Sequence, residues 1–351
     1  MLFTPSFLRG TRAAVIPYGS AHVVADHYGD VTHEYQQLTT RTGVIAATHR
    51  GMLRIEGKDR LKFLQSLITQ DVKSMAPGAI AYSFMLNIKG RIIADMVLVA
   101  LDDGVYVDTD ARLAGLLTQT LERYLFSDAV VIEDVSGRLV RMTVMGPEAA
   151  GVLAAAIPGI QLPGGGHALQ SAEIQGWIYR RDIMRMPQWE LAVGSDLAAD
   201  IWQQLTADGR GCPVGWSAFN IARVAAGAPW YGIDMTDQHL PMETGPAYQQ
   251  AVHLSKGCYI GQEVVARMHS HQTVARALVA MDIKGDGLPS VGAAIYDGEQ
   301  VIGNITSAAP SPERRGDMMA LGYVKKSHAG GTRPLMVQTA TGRAPAALRP
   351  L

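Results

Sequence analysis

The chain is short of cysteine, of charge and of long apolar runs, and each shortage closes off a class of function. Only two cysteines occur in 351 residues, Cys212 and Cys258, far apart in sequence. That excludes a disulfide framework and a clustered zinc site, and it makes a reducing compartment, the cytoplasm, the expected location. Asp, Glu, Lys and Arg make up 18% of residues and nearly cancel, leaving a net charge of −1. No basic field is available to hold nucleic acid, so none is expected as a partner; a local basic pocket is still able to grip a small acidic ligand. No apolar run reaches the roughly 18 residues of a membrane span, so no membrane is expected either. Arg9 and Arg12 open the chain without the apolar stretch of a secretory signal. Their acid-free segment shares its composition with a transit peptide, but the chain reads as globular from its first turn.

What the chain does have is apolar residues, 48% of the total. That fraction buries sizeable cores, and the length suits two or three domains of about 100–200 residues each. Hydrophobic spacing predicts helices over Glu34–Thr42, Lys58–Leu67, Leu113–Leu125, Pro147–Ile157, Leu197–Asp208 and Ser217–Ala226. Asp59 is expected to cap the second of these. Alternating residues predict strands over Met52–Glu56, a hairpin of Ile80–Asn87 with Arg91–Ala100, then Val105–Thr109, Val130–Asp134, Leu139–Val144, Trp177–Asp182 and Glu190–Val193. The glycines after Pro163 lack the frame of a dinucleotide loop and read as a surface loop. Beyond Ala275 the pattern turns to short strands, Leu278–Ile283, Ala294–Tyr296, Gln300–Ala308, Met318–Val324 and Leu335–Thr339, suited to a closed or sandwiched β domain. A domain boundary is expected near Thr273–Arg276.

The most specific segment is Lys256-Gly257-Cys258-Tyr259-Ile260-Gly261-Gln262-Glu263. A cysteine between a lysine and glycines suits an exposed turn, where a nearby cation favours the reactive thiolate. Read from the residues alone, an inert thiol in a tight glycine turn is the competing reading. Glu263 and Arg267, four apart, would share one face of a helix. His269 and His271 follow as a His-x-His pair, but no fourth ligand accompanies them and Cys258, and no metal site is expected.

This segment resembles the signature of the YgfZ-type branch of the glycine-cleavage T-protein family. Further stretches resemble other parts of the family: Arg50 to Leu64, Thr69-Gln70-Asp71-Val72, Asn87 to Asp95, Ile221 to Asp234, and Leu240-Pro241-Met242-Glu243. The resemblance implies an α+β fold, a T-protein-like multidomain ring with a central folate channel. Residues 1–273 would form the folate-binding region of interleaved subdomains, with a ferredoxin-like part near 137–210, and residues 274–351 a C-terminal β-barrel. It also implies that Asp95 lies close to the folate nitrogen that accepts a one-carbon unit, where a carboxylate steers a proton and stabilises positive charge. Tetrahydrofolate or a derivative is the implied ligand. Cys258 and Asp95 are the candidate catalytic residues. Asp95, Tyr106, Glu190, Arg223, Trp230, Lys256 and Tyr259 are the candidate folate-binding set. Tyr106 and Trp230 enter it as stacking aromatics, with core packing the alternative for each. Arg223 enters as a guanidinium for a folate glutamate tail or for a buried carboxylate.

The chain departs from the family at two places. The pterin-binding strand is shortened to Arg185–Glu190, and the glutamate of the Arg-x-Glu motif is replaced by Ala225. Both changes speak against aminomethyl transfer. The function implied is that of a tetrahydrofolate-binding protein supporting iron–sulfur cluster assembly or repair through Cys258, with iron–sulfur client or assembly proteins as partners. The alternative is a folate-dependent methyl- or aminomethyltransferase, or the same scaffold turned to a specialised reaction. A third possibility is an interaction protein with an empty channel. Whether the chain is an enzyme stays open at this point.

Overall fold

The computed structural model describes residue 8 and residues 11–271, 274–330 and 333–351. Arg9 and Thr273, and the side chain of His271, lie outside the described residues. Two compact units are present, one of Met1–Ser66, Asp71–Ser83 and Asp95–Phe219, the other of Leu67–Gln70, Phe84–Ala94 and Asn220–Leu351.

The first unit is built on two sheets. One has the strand order Ile80–Leu86, Ile92–Leu101, Gly104–Asp110, Arg50–Glu56 and Val131–Asp134, of which Phe84–Leu86 and Ile92–Ala94 belong to the second unit. The other runs Ala168–Ser171, Gly176–Arg180, Gln188–Gly194, Leu139–Met145, Gly43–Ala46 and Cys212–Pro213, with only the last pair parallel. The helices Ala149–Ala156 and Ala198–Thr206 cover the outer face of this second sheet, burying Val152, Leu153, Ile201 and Leu205 against Val144, Ile178 and Leu191. A separate two-stranded ribbon, Ala14–Tyr18 with His22–His27, was not foreseen from the sequence.

Helix starts follow local chemistry. Asp30 caps the helix Val31–Thr40 by accepting from the backbone N–H groups of Thr32 at 2.8 Å and His33 at 3.2 Å. Asp59 does not cap the helix Arg60–Gln65 as expected. Its carboxylate instead accepts from the Ala129 N–H at 2.8 Å, tying down the loop before Val131–Asp134.

In the second unit a closed barrel runs Arg276–Ile283, Met318–Lys325, Gln300–Pro310, Ala294–Asp297, Leu335–Thr339 and Gly342–Arg349, the last pairing back to the first. The five strands expected from the sequence are present. The closing strand was missed because Gly-Arg-Ala-Pro-Ala-Ala-Leu-Arg has little β propensity; its ladders on both sides hold it. Val279, Met281, Ile295, Ile305 and Val337 fill the barrel. Among the described residues no helix is long and apolar enough to cross a membrane.

Candidate functional site

The two sheets of the first unit face each other, and period-two alternation decides what meets between them. On the first sheet Val97 stands opposite Asp108 and Val99 opposite Tyr106, while Arg50 stands opposite Asp110 and Met52 opposite Asp108. On the second, Thr143 and Tyr179 both stand opposite Glu190. Apolar members of these faces, among them Met52, Val97, Val99, Trp177, Tyr179 and Ala192, form one cluster. The polar members form a chain of charges beside it.

Asp108 is the hinge of that chain. Its Oδ1 accepts from Arg50 Nε at 2.7 Å, and its Oδ2 lies 2.6 Å from Arg141 Nη2. Arg141 in turn reaches Glu190 at 3.5 Å and donates to the Tyr179 hydroxyl at 3.1 Å. Thr143 also donates to Glu190, at 2.8 Å. Burial alone would push the Asp108 carboxyl up; Arg141 and Arg50 outweigh it and hold it below the usual carboxylate range. The burial cost of these charges is met by pairing each with an opposite one.

Asp95 sits next to this chain with a different balance. The Tyr82 hydroxyl donates to its Oδ2 at 3.0 Å, and the Arg181 guanidinium lies 4.2 Å from the Tyr82 ring centre. Asp95 Oδ1 is buried with no hydrogen-bond partner. Burial pushes the carboxyl up, and Arg50, Arg181 and the Tyr82 hydrogen bond only partly pull it back. A carboxylate with a raised pKa and a vacant acceptor is suited to exchange a proton or to stabilise a cation.

Sequence reasoning named Asp95 and Glu190 but missed Tyr82, Asp108, Arg141 and Arg181. One signal was available: Asp108 and Asp110 stand two apart in one strand, so their carboxylates project from the same face, and the strand is buried throughout.

The structure does not bring Tyr106 to Asp95. Tyr106 pairs with Val99, four residues along the strand and so about 13 Å away. Its ring meets Trp177 at 4.4 Å and its hydroxyl donates to Asp103 at 2.8 Å, which with burial pushes its pKa up to about 12.

Arg223 belongs to the second unit and is 1% exposed. It pairs with Asp234 at 2.6 Å and donates to Ser307 at 2.7 Å, while Thr306 and Ser307 also donate to Asp234. Of the two roles expected for Arg223, the geometry has the buried carboxylate. Trp230 contributes its backbone, its N–H donating to Asp234 at 3.0 Å. Ala225 packs beside the apolar cluster of Leu278, Leu321 and Tyr323, and its carbonyl accepts from Arg349, so a small apolar residue suits the place of the family's glutamate.

Lys256 is buried, and its ammonium donates to the carbonyls of Ile68 at 2.6 Å and Gln70 at 2.9 Å. It also lies 5.1 Å from the Tyr259 ring, whose own burial pushes its hydroxyl up to about 12. These two anchors hold the turn from both sides, and Cys258 between them is exposed. The helix Gln262–His271 follows directly. No group of three or more His, Cys, Asp or Glu residues suited to a metal occurs among the described residues.

The family model described as the GCVT N-terminal domain matches residues 10–256, and that of the glycine cleavage T-protein C-terminal barrel domain matches residues 276–350. The chain is similar to the aminomethyltransferase of Thermosynechococcus vestitus, with 29% identity over 99% of this chain and 94% of that protein. It is similar also to the aminomethyltransferase of Streptomyces coelicolor, with 28% identity over 86% and 83% of the two chains. Among solved structures, the glycine cleavage system aminomethyltransferase T from Bartonella henselae shares the fold, with a TM-score of 0.88 at 22% identity, covering 98% of this chain and 94% of that one.

Proposed function

The chain belongs to the glycine cleavage T-protein family, and from that premise we propose that it is a tetrahydrofolate-dependent aminomethyltransferase-type enzyme whose working carboxylate is Asp95. The observation that carries the reading is the state of Asp95. One of its oxygens is satisfied by Tyr82 and the other, Oδ1, is a buried acceptor with no partner. The wall fits an amine ligand, because an N–H group supplies what Oδ1 lacks.

Tetrahydrofolate, when bound, supplies the amine that accepts the one-carbon unit. This chain's own residues do the rest. Asp95 orients that amine and takes or returns its proton. Arg50 and Arg181 favour the ionised carboxylate against the larger pull of burial, and the balance leaves Asp95 a stronger base than a free carboxylate. Tyr82, packed under Arg181, fixes the carboxylate rotamer. An ionised Asp95 also stabilises positive charge developing at the nitrogen, an effect enlarged by the shielded setting. Glu190 acts through Arg141 and Asp108, holding the floor of the site in place. The division into a folate-binding part over 1–273 and a barrel over 274–351, and a cytoplasmic location, belong to the same proposal.

The test is turnover with tetrahydrofolate and a lipoyl-carried aminomethyl donor, read as methylene-tetrahydrofolate and ammonia. Asp95→Asn should cut the rate about 100- to 10,000-fold. A wild-type protein that neither turns over nor binds tetrahydrofolate in a calorimeter would overturn the proposal.

A second reading has its own observation. Cys258 stands exposed between buried Lys256 and Tyr259, in the segment that resembles the YgfZ-type signature. On that reading the protein binds folate in support of iron–sulfur cluster assembly or repair. Cys258→Ser should then lose the ability to complement a YgfZ-deficient strain, and full rescue by the variant removes this reading while leaving the first untouched.

A further inference from the structure

At the far end of the same inter-sheet layer lies a cleft of about 490 Å³. It is separate from the site described above. Leu101, which lines it, is six residues along the strand from Asp95, about 20 Å away. Its floor is apolar and aromatic, with Leu101, Val135, Leu139, Tyr106 and Trp177. Its rim carries cations and amides, Arg54, Arg138, Gln170 and Gln175 among them.

Hydrogen-bond accounting on these walls is lopsided. Trp177 is 3% exposed, and its indole Nε1 is buried without an acceptor; Arg54 Nε is buried without an acceptor as well. Both unsatisfied groups are donors. On the rim, Asp103 Oδ2 receives the Tyr106 hydroxyl at 2.8 Å and Arg54 at 2.9 Å, and beside the cleft Glu133 receives Arg138. Arg138 is able to turn inward from Glu133, since its side chain is 66% exposed and the pair stands on the surface, where such pairs are weak. A partner for this cleft is therefore flat enough for an aromatic floor, rich in acceptors, and helped by a negative charge.

We propose that this cleft is a second small-molecule site, independent of Asp95, for a planar six-membered ring that carries ring carbonyl or carboxylate acceptors. The ring would lie against Tyr106 and Trp177, its acceptors would engage the donors of the floor, and its carboxylate would be met by Arg138. The inference does not rest on the folate reading, because no residue of the cleft serves Asp95.

The probe is orotate, with uracil as its uncharged match, titrated into the full-length protein in a calorimeter. Orotate should bind, and uracil should bind about tenfold more weakly for lack of the carboxylate. Arg138→Gln, a surface change, should erase that difference. Trp177→Phe keeps an aromatic ring, though a smaller one, and removes the N–H, and should weaken both probes about tenfold. Saturating tetrahydrofolate should displace neither. The proposal is overturned if neither probe binds at millimolar concentration, if both substitutions leave binding unchanged, or if tetrahydrofolate competes. Should Trp177→Phe fail to fold, the Arg138→Gln comparison decides alone.

Discussion

Asp95 places two opposing demands on one residue. Its raised pKa means the folded protein holds the proton more tightly than the unfolded chain does. Stability from this group is therefore greatest at low pH and falls as pH rises through the window between the ordinary carboxylate value and the raised one. Above that window the ionised group costs stability. Asp95→Asn should accordingly raise the midpoint of chemical denaturation at a pH above the window, and the gain should shrink as pH is lowered into it. The same variant loses turnover, so activity and stability move in opposite directions, as expected where a site is held in a costly state. A variant that is both inactive and less stable would show that Asp95 is a structural partner of Tyr82 and nothing more. Asp108 is the opposite case. Its carboxylate is held ionised by Arg50 and Arg141, and it belongs to the frame.

At the scale of elements, the part of the helix Trp216–Ala226 that lies in the second unit, from Asn220 on, is fastened there by Arg223. The Arg223–Asp234 pair is buried, and Thr306 and Ser307 of the strand Gln300–Pro310 donate to the same carboxylate. Removing one member leaves an uncompensated buried charge. Arg223→Ala should cost about 3–5 kcal/mol in urea denaturation, far more than a surface ion pair. The closing strand Gly342–Arg349 shows how context overrides propensity. Alanine, proline and arginine do not announce a strand, yet the first strand of the barrel has an open edge that only this segment fills. Asp59 is the reverse case. An aspartate at a helix start reads as a cap, but a backbone donor at Ala129, distant in sequence, takes its carboxylate.

At the scale of the whole molecule, ligand linkage gives the broadest test. If tetrahydrofolate binds the folded chain alone, stability rises with its concentration, by about 2.7 kcal/mol at one hundred times the dissociation constant. A melting temperature that climbs with added tetrahydrofolate in the wild type is the expected result, and a flat response counts against a folate-binding protein of either kind. What the sequence alone determined is what depends on local order. Period-two and helical spacing located most strands and helices, and the segments from Arg50 to Arg267 placed the chain in its family and singled out Asp95 and Cys258. What only the tertiary structure decided is which polar residues share a wall. Asp95 and Tyr82 meet across neighbouring strands, and Asp108, Arg141 and Glu190 meet across two sheets. Arg223 is claimed by Asp234, and Lys256 by the carbonyls of Ile68 and Gln70. The reason is physical: a buried charge is stable only beside a partner, and the partner is chosen by sheet register and packing between residues far apart in the chain.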